Sequence, residues 1–429
     1  MRFWKLSLND SLKKGLCSAD PALGEVGFAS LKGLKTNGVY LYSCALENTV
    51  VVPTTITPFY FSMGTRSYYT DGVRIYKRES GAWVDKRAGI GLTNIHFLDF
   101  GAYGILTAAG GILFFDTTAT EFFTVNPTGF TTPRFKTSTT LNGQIIGGGL
   151  LDAWSNLSDE FICWSKIGSD SFVLDKSNDS GYYNPNIGAI GKVLGYGDKV
   201  LALGQRGAVL LYYAEHTFGF KPLDLPKPGS LFLGASTKDF AYYIDQHDNL
   251  IKVGSKGDFV NLDFAWLMKD VIEVRTLAKS NEVVFTTSEN SYIIDHAGMY
   301  SYGYRVFGDW NGGLITEGGF EQDTVGFATS SLNADLAGMK TLTEVYIASN
   351  SGEVVTAQGF GELNLTTRLT RAVPINNVSG AKIVVQANAI GVIIETVWQR
   401  DLRVTSLSVN MAKSDKRFGT GESITRVST

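Results

Sequence analysis

A hairpin-shaped unit recurs along this chain, and its spacing limits the folds open to it. The segments are RSYYTDGVRIYKR (66–78), YGILTAAGGILFFDT (103–117), KVLALGQRGAVLLYY (199–213), FAYYIDQHDNLIKVG (240–254), EVVFTTSENSYIID (282–295) and EVYIASNSGEVVTA (344–357). Each joins two β-rich runs through a polar or glycine turn. Asp71-Gly72 between alternating runs is a strong type I′ hairpin signal. The turns fall near residues 72, 110, 205, 248, 289 and 351. From 72 to 110, 205 to 248 and 248 to 289 the step is about 40 residues, the length of a four-stranded propeller blade. The longer gaps are each expected to hold one more degenerate unit, with LNGQIIGGGLLDAW (141–154) and GGFEQDTVGFATS (318–330) as the candidates. Sandwich turns recur more closely and show no such super-period. The predicted fold is therefore all-β: a β-propeller of six to eight blades with a small C-terminal β region.

Composition agrees. The 429 residues include 48 glycines and are 12% aromatic, a balance that suits many strands joined by tight turns. One blade cannot bury both of its faces, so stacked blades must cover each other. Adjacent apolar residues such as Leu210-Leu211 fit strands covered on both sides. Phe240, Tyr242 and Ile244 are expected on one face, with Tyr243 on the other. Helical candidates are weak; NLDFAWLMKDVIEV (261–274), for example, allows one turn or two at most.

Three segments are expected. Residues 1–38 are polar and aperiodic and read as an N-terminal arm. Residues 39–359 hold the propeller. Residues 360–429 form a C-terminal β domain with strands at Thr366–Val373, Ala381–Ala387, Gly391–Gln399 and Val404–Met411, and a loose tail from Lys413.

Charge and motifs narrow the chemistry. A net charge of −3 argues against gripping nucleic acid by its backbone. Cys17, Cys44 and Cys163 are odd in number and far apart, so no disulfide framework is implied. The opening MRFWKLSLNDSLKKG lacks the apolar stretch of a secretory signal, and no run approaches the ~18 residues of a membrane helix. Synthesis in a cytoplasm and no membrane span are the expectations. GIGLTN (89–94) starts like a dinucleotide fingerprint but ends in Asn94. GASTK (234–238) lacks the closing glycine of a nucleophile elbow. His96, His216, His247 and His296 form no metal-ligand spacing. The turn at 245–249 has acidic and amide oxygens, but Leu250 stands where a calcium loop needs glycine. The polar stretch 164–186 reads as a connection between two β-units. Arg66, Arg74, Arg206, Arg275 and Arg305 are sparse. No catalytic, cofactor-binding or metal residue is predicted, and no cofactor.

Residues 162–220 carry the most specific signal. Trp164-Ser165-Lys166-Ile167-Gly168 is followed by a polar loop and by Gly181-Tyr182-Tyr183. Then come Gly197-Asp198-Lys199-Val200-Leu201, Gly204, Arg206 and finally Phe218-Gly219-Phe220. This succession resembles the packaged-DNA stabilisation proteins, also called tail hub or nozzle proteins, of short-tailed bacteriophages. GLKTNGVY (33–40) is similar to the family's segment before its first blade, and TTRLTRAV with AKIVVQA to its strands after the propeller.

The resemblance implies a structural protein of the virion tail rather than an enzyme. Such proteins form a ring, commonly a hexamer, below the portal and adaptor proteins. The ring extends the DNA channel and retains the packaged genome until ejection. DNA would pass through without sequence-specific binding, which a mildly acidic chain suits. Tail fibre or needle proteins are further partners the family implies. The short arm and the lack of a long insertion depart from the family where fibres dock. Arg206 at the tip of its hairpin is the candidate subunit contact. Two alternatives remain: a receptor-binding or baseplate propeller module, and a glycan-active propeller enzyme, which requires acids and arginines converging on one propeller face.

Overall fold

The computed structural model describes residues 3–9, 16, 28–43, 50–51, 59–63, 66–88, 95–101, 103–108, 111–116, 122–124, 133–151, 156–169, 171–173, 179–214, 217–277, 280–295, 298–301, 304–310, 313–316, 324–329, 332, 339–363, 366–375, 380–397, 399, 401–413 and 425–426. The chain divides into two compact units. One holds Val50–Phe285 and Phe307–Glu317; the other holds Met1–Thr49, Thr286–Val306 and Gly318–Thr429.

The first unit is a β-propeller. Its hairpins pair in chain order, because each turn brings together two runs that are already neighbours in sequence. Five antiparallel sheets have four strands each. Blade 1 runs from Phe59–Met63 to Ala82–Ala88, blade 2 from His96–Asp99 to Phe122–Thr124, and blade 3 from Phe135–Leu141 to Gly181–Tyr183. Blade 4 runs from Ile190–Tyr196 to Thr217–Leu223, and blade 5 from Gly234–Ser236 to Phe259–Asn261. Glu273–Leu277 and Glu282–Thr286 give the inner pair of blade 6. Blade 7 is Val306–Trp310 and Gly313–Thr316, completed by Val50–Val51, which pairs in parallel with Ile315 and Thr316. The strand preceding blade 1 thus completes the last blade. The innermost strands begin at residues 59, 96, 135, 190, 234, 273 and 306, which makes seven blades.

Blade-to-blade packing explains the apolar doublets. Leu211 belongs to a buried cluster with Ile146, Ile162 and Trp164 of blade 3. Its neighbour Leu210 points the other way, into a cluster with Ala241, Tyr243 and Ile251 of blade 5. Val200 and Ala202 against Leu201 and Leu203 divide in the same manner. Tyr243 faces blade 4, while Tyr242 meets Phe240 on the opposite side, with ring centroids 6.5 Å apart. Tyr60 and Tyr69 of blade 1 pack with Phe307 and Ile315 of blade 7, which closes the ring. A single helical turn, Ala265–Met268, precedes blade 6.

The turns near 72, 205 and 248 join paired strands as expected. The unit foreseen at 141–154 is the first hairpin of blade 3. Two expectations fail. The turn near 351 is not a blade hairpin, because Lys340–Ser349 and Val355–Leu363 lie in different sheets. The stretch 318–330 is not a blade either: Thr324–Thr329 pairs with Phe28–Lys32 and Ala389–Val397 in the second unit. The polar connection 164–186 joins the third and fourth strands of one blade, not two units. Its Phe172 is buried against Phe135.

The second unit stacks two sheets. Leu34–Thr36, Leu41–Ser43, Arg403–Lys413, Lys340–Ser349 and Ala381–Ala387 form one. Ala389–Val397 and Val355–Leu363 lie at the heart of the other. Gly359 lets the sheets approach closely, since a Cβ there would meet Ile383 at 2.7 Å. The division differs from the three segments expected from composition. Phe3–Ser7 is no free arm, because it pairs antiparallel with Arg403–Lys413 in register Phe3 to Ala412. Leu8, Phe28, Leu31 and Leu34 are buried. The C-terminal strands fall where expected, except that the first splits into Thr366–Leu369 and Val373–Ile375. The tail from 414 to 424 lies outside the described residues, as do GIGLTN (89–94), His216 and His296.

Candidate functional site

Arg206 stands at a two-residue hairpin tip in blade 4, where Gly204 pairs with Gly207. Its backbone N–H donates to Ile187 O at 2.8 Å, which pins the tip against the loop entering the blade. Gly204 is required here, because a Cβ would meet Ile187 O at 2.5 Å. The guanidinium lies 3.7 Å from Glu160 of blade 3, and its side chain is 64% exposed. Such a pair contributes under ~1 kcal/mol, so most of the charge remains available at the surface.

The other residues of the 162–220 signal converge on one place. Trp164 of blade 3 meets Phe218 of blade 4 edge-on, with centroids 5.4 Å apart, and Tyr183 stacks on Phe220 at 4.0 Å. Gly181 leaves room for the Trp164 ring, which would lie 2.6 Å from a Cβ. This signal therefore encodes a blade junction rather than a reactive site.

A second site lies where the seven innermost strands meet. They surround a cavity of about 530 Å³. The inner edge of a propeller strand has no sheet partner, so its backbone groups need other bonds. Side chains of neighbouring blades supply them. The Ser138 N–H donates to His96 Nε2 at 2.9 Å, and the Val193 N–H donates to Thr137 Oγ1 at 3.0 Å. Ser236 Oγ donates to Gly195 O, and Thr276 Oγ1 to Ser236 O, both at 2.7 Å. Arg275 donates through Nη1 to Tyr60 O at 2.8 Å and Phe307 O at 3.3 Å, tying blade 6 to blades 1 and 7.

The charges in the cavity act on one another. Arg275 Nη2 pairs with Glu273, while its Nε has no hydrogen-bond partner. Burial lowers the Lys192 pKa, with Glu273 raising it and Arg275 lowering it. Burial, helped by the Lys192 charge, holds the His96 imidazole down at about 3. His96 is thus neutral, with Nε2 free to accept the Ser138 N–H. The charge of Lys192 in blade 4 acts on His96 of blade 2, and Glu273 and Arg275 of blade 6 act on Lys192. Asp99 and Asp309 also line the cavity.

No protein-family model and no curated protein matches the chain. Solved structures similar to it include BamB from Moraxella catarrhalis, at 11% identity over 77% of this chain and 95% of that one, with a TM-score of 0.37. AztD from Citrobacter koseri is similar at 11% identity over 67% and 94%, with a TM-score of 0.35. The extracellular domain of BT4673 from B. thetaiotaomicron is similar at 11% identity over 90% and 63%, with a TM-score of 0.41.

The sequence reading missed this cavity. Lys192 is about eighty residues from Glu273 and Arg275, which share one strand, and only ring closure brings the lysine to that pair. One signal could have found them: each lies on the β-rich run just before a recurrent hairpin, where the innermost strand of a blade belongs. The acids and the arginine do share one cavity, but Arg275 is engaged by two carbonyls and Glu273. The turn at 245–249 is a hairpin loop in which Asp245 Oδ1 accepts the N–H groups of His247 and Asn249, each at 2.8 Å. Among the described residues no cluster of His, Cys, Asp and Glu is arranged to hold a metal ion, and no helix is long and apolar enough to cross a membrane. Cys163 is buried, which pushes its thiol up to about 12 and leaves it unreactive.

Proposed function

We propose that this chain is a structural tail hub, or nozzle, protein of a short-tailed bacteriophage. Copies of it form a ring, commonly a hexamer, below the portal and adaptor proteins. The ring extends the DNA channel and holds the packaged genome in place. The observation that carries this reading is the 162–220 segment. The succession that resembles the tail hub family is also what locks blade 3 to blade 4, through Trp164, Tyr183, Phe218 and Phe220. A motif spent on rigidity suits a scaffold.

Two further points support it. The propeller cavity, at about 530 Å³, has the size of a small-molecule site and cannot pass a duplex. A DNA conduit must therefore form between copies, by heterologous contacts that close into a ring. A net charge of −3 suits a conduit through which phosphates slide without being held. The test is mass spectrometry of purified tails. The chain should be present beside the portal in a multiple consistent with a ring. Its absence from purified virions would overturn the reading.

A further inference from the structure

The propeller cavity holds one ammonium without a direct hydrogen-bond or ion-pair partner among the described residues. Arg275 has two carbonyls and the Glu273 carboxylate. Lys192 has neither a hydrogen-bond nor an ion-pair partner among the described residues, although it lines the cavity. Lys192 is half-buried at the cavity wall, and an anion placed beside its ammonium would gain a charge-assisted hydrogen bond. The space is there, since about 530 Å³ falls within the ~300–1,000 Å³ of ordinary small-molecule sites.

The surroundings select the anion. Glu273 stands close enough to Lys192 to act on its charge, which disfavours a phosphate dianion and favours a single negative charge. Phe59 and Phe307 give the wall apolar surface, with the Arg275 guanidinium 4.7 Å from the Phe59 ring centre. Phe232 also lines the cavity, with a left-handed φ of 50° that a bulky residue seldom adopts. Its ring occupies the space above Gly191, where a Cβ would lie 2.0 Å away. Strain of this kind gathers at ligand clamps.

We propose that the cavity binds a small monocarboxylate with an aromatic or similarly apolar body, its carboxylate on Lys192 Nζ and its body against the phenylalanine rings. The site does not depend on the tail hub reading. The test uses the full chain and 2-naphthoate as a fluorescent probe, with 2-naphthalenemethanol as its uncharged counterpart. Naphthoate should bind saturably and at least about tenfold more tightly than the alcohol, as one charge-assisted hydrogen bond predicts. Lys192→Met should abolish that preference while leaving the alcohol unaffected, and Lys192→Arg should restore part of it. Melting curves of both variants confirm that they fold. Equal binding of acid and alcohol, no naphthoate binding, or an unchanged preference in a folded Lys192→Met would overturn the proposal.

Discussion

The two units reach the same end, strands with buried faces, by opposite routes. In the propeller nearly every pairing is between neighbours in sequence, and the blades follow one another in chain order. Among the described strands, Val50–Val51 is the one that crosses the ring, to pair with Ile315 and Thr316. In the second unit the longest strand, Arg403–Lys413, takes its partners from Phe3–Ser7, Leu41–Ser43 and Lys340–Ser349. A propeller can be assembled hairpin by hairpin, with closure last. The other unit requires both ends of the chain before its sheets exist, which carries a larger loop-closure cost.

The two units should separate most clearly when the blade 3–4 junction is weakened. Trp164→Ala should cost about 3–5 kcal/mol, as large aromatic truncations in a core do. Hydrogen exchange should speed up through the propeller residues 133–261 and leave Lys340–Ser349 and Arg403–Lys413 protected. Equal loss of protection in both units would show that they unfold as one.

Acid should act on the propeller next. His96 stays neutral in the fold down to about 3, whereas the unfolded imidazole protonates near 6.5. The unfolded chain therefore binds more protons as pH falls below 6.5. Stability present above that pH is lost between about 6.5 and 3, by about 2.5 kcal/mol from pH 7 to pH 4.5. Urea titrations at the two pH values should show this loss in propeller probes, and His96→Gln should remove most of its pH dependence. A His96→Gln variant with the full acid sensitivity would assign the effect to other groups.

The smallest effect on folding is expected at Arg206. Its exposed pair with Glu160 contributes little, so Arg206→Glu should shift stability by less than about 1 kcal/mol. Assembly is where this change should be felt, since the hairpin tip presents the charge outward. A variant that folds normally but forms fewer rings would assign Arg206 to the contact between copies. Unchanged ring formation would leave it a turn residue.

These contrasts also explain what the sequence disclosed. Turn chemistry is local, so Asp71-Gly72 and Gly204-Gln205-Arg206-Gly207 announce hairpins, and their spacing announces blades. The doublet Leu210-Leu211 reveals coverage on both faces for the same reason. The turn at Ser351-Gly352 has equally good local chemistry and misleads, because each flanking strand has distant partners that outcompete its neighbour. The N-terminal run FWKLS resembles a loose arm until Val409 and Met411 are placed beside it. The cavity was illegible for a related reason. Lys192 belongs to blade 4 and the Glu273–Arg275 pair to blade 6, and no spacing rule joins them before the ring is closed.

The proposed tail ring is tested most directly by mass photometry of the purified chain, alone and with the portal and adaptor proteins that the proposal implies. A ring-forming chain should give a discrete closed oligomer, six copies if it follows the tail hub proteins it resembles, formed freely or on those partners. A chain that stays monomeric under both conditions would contradict it.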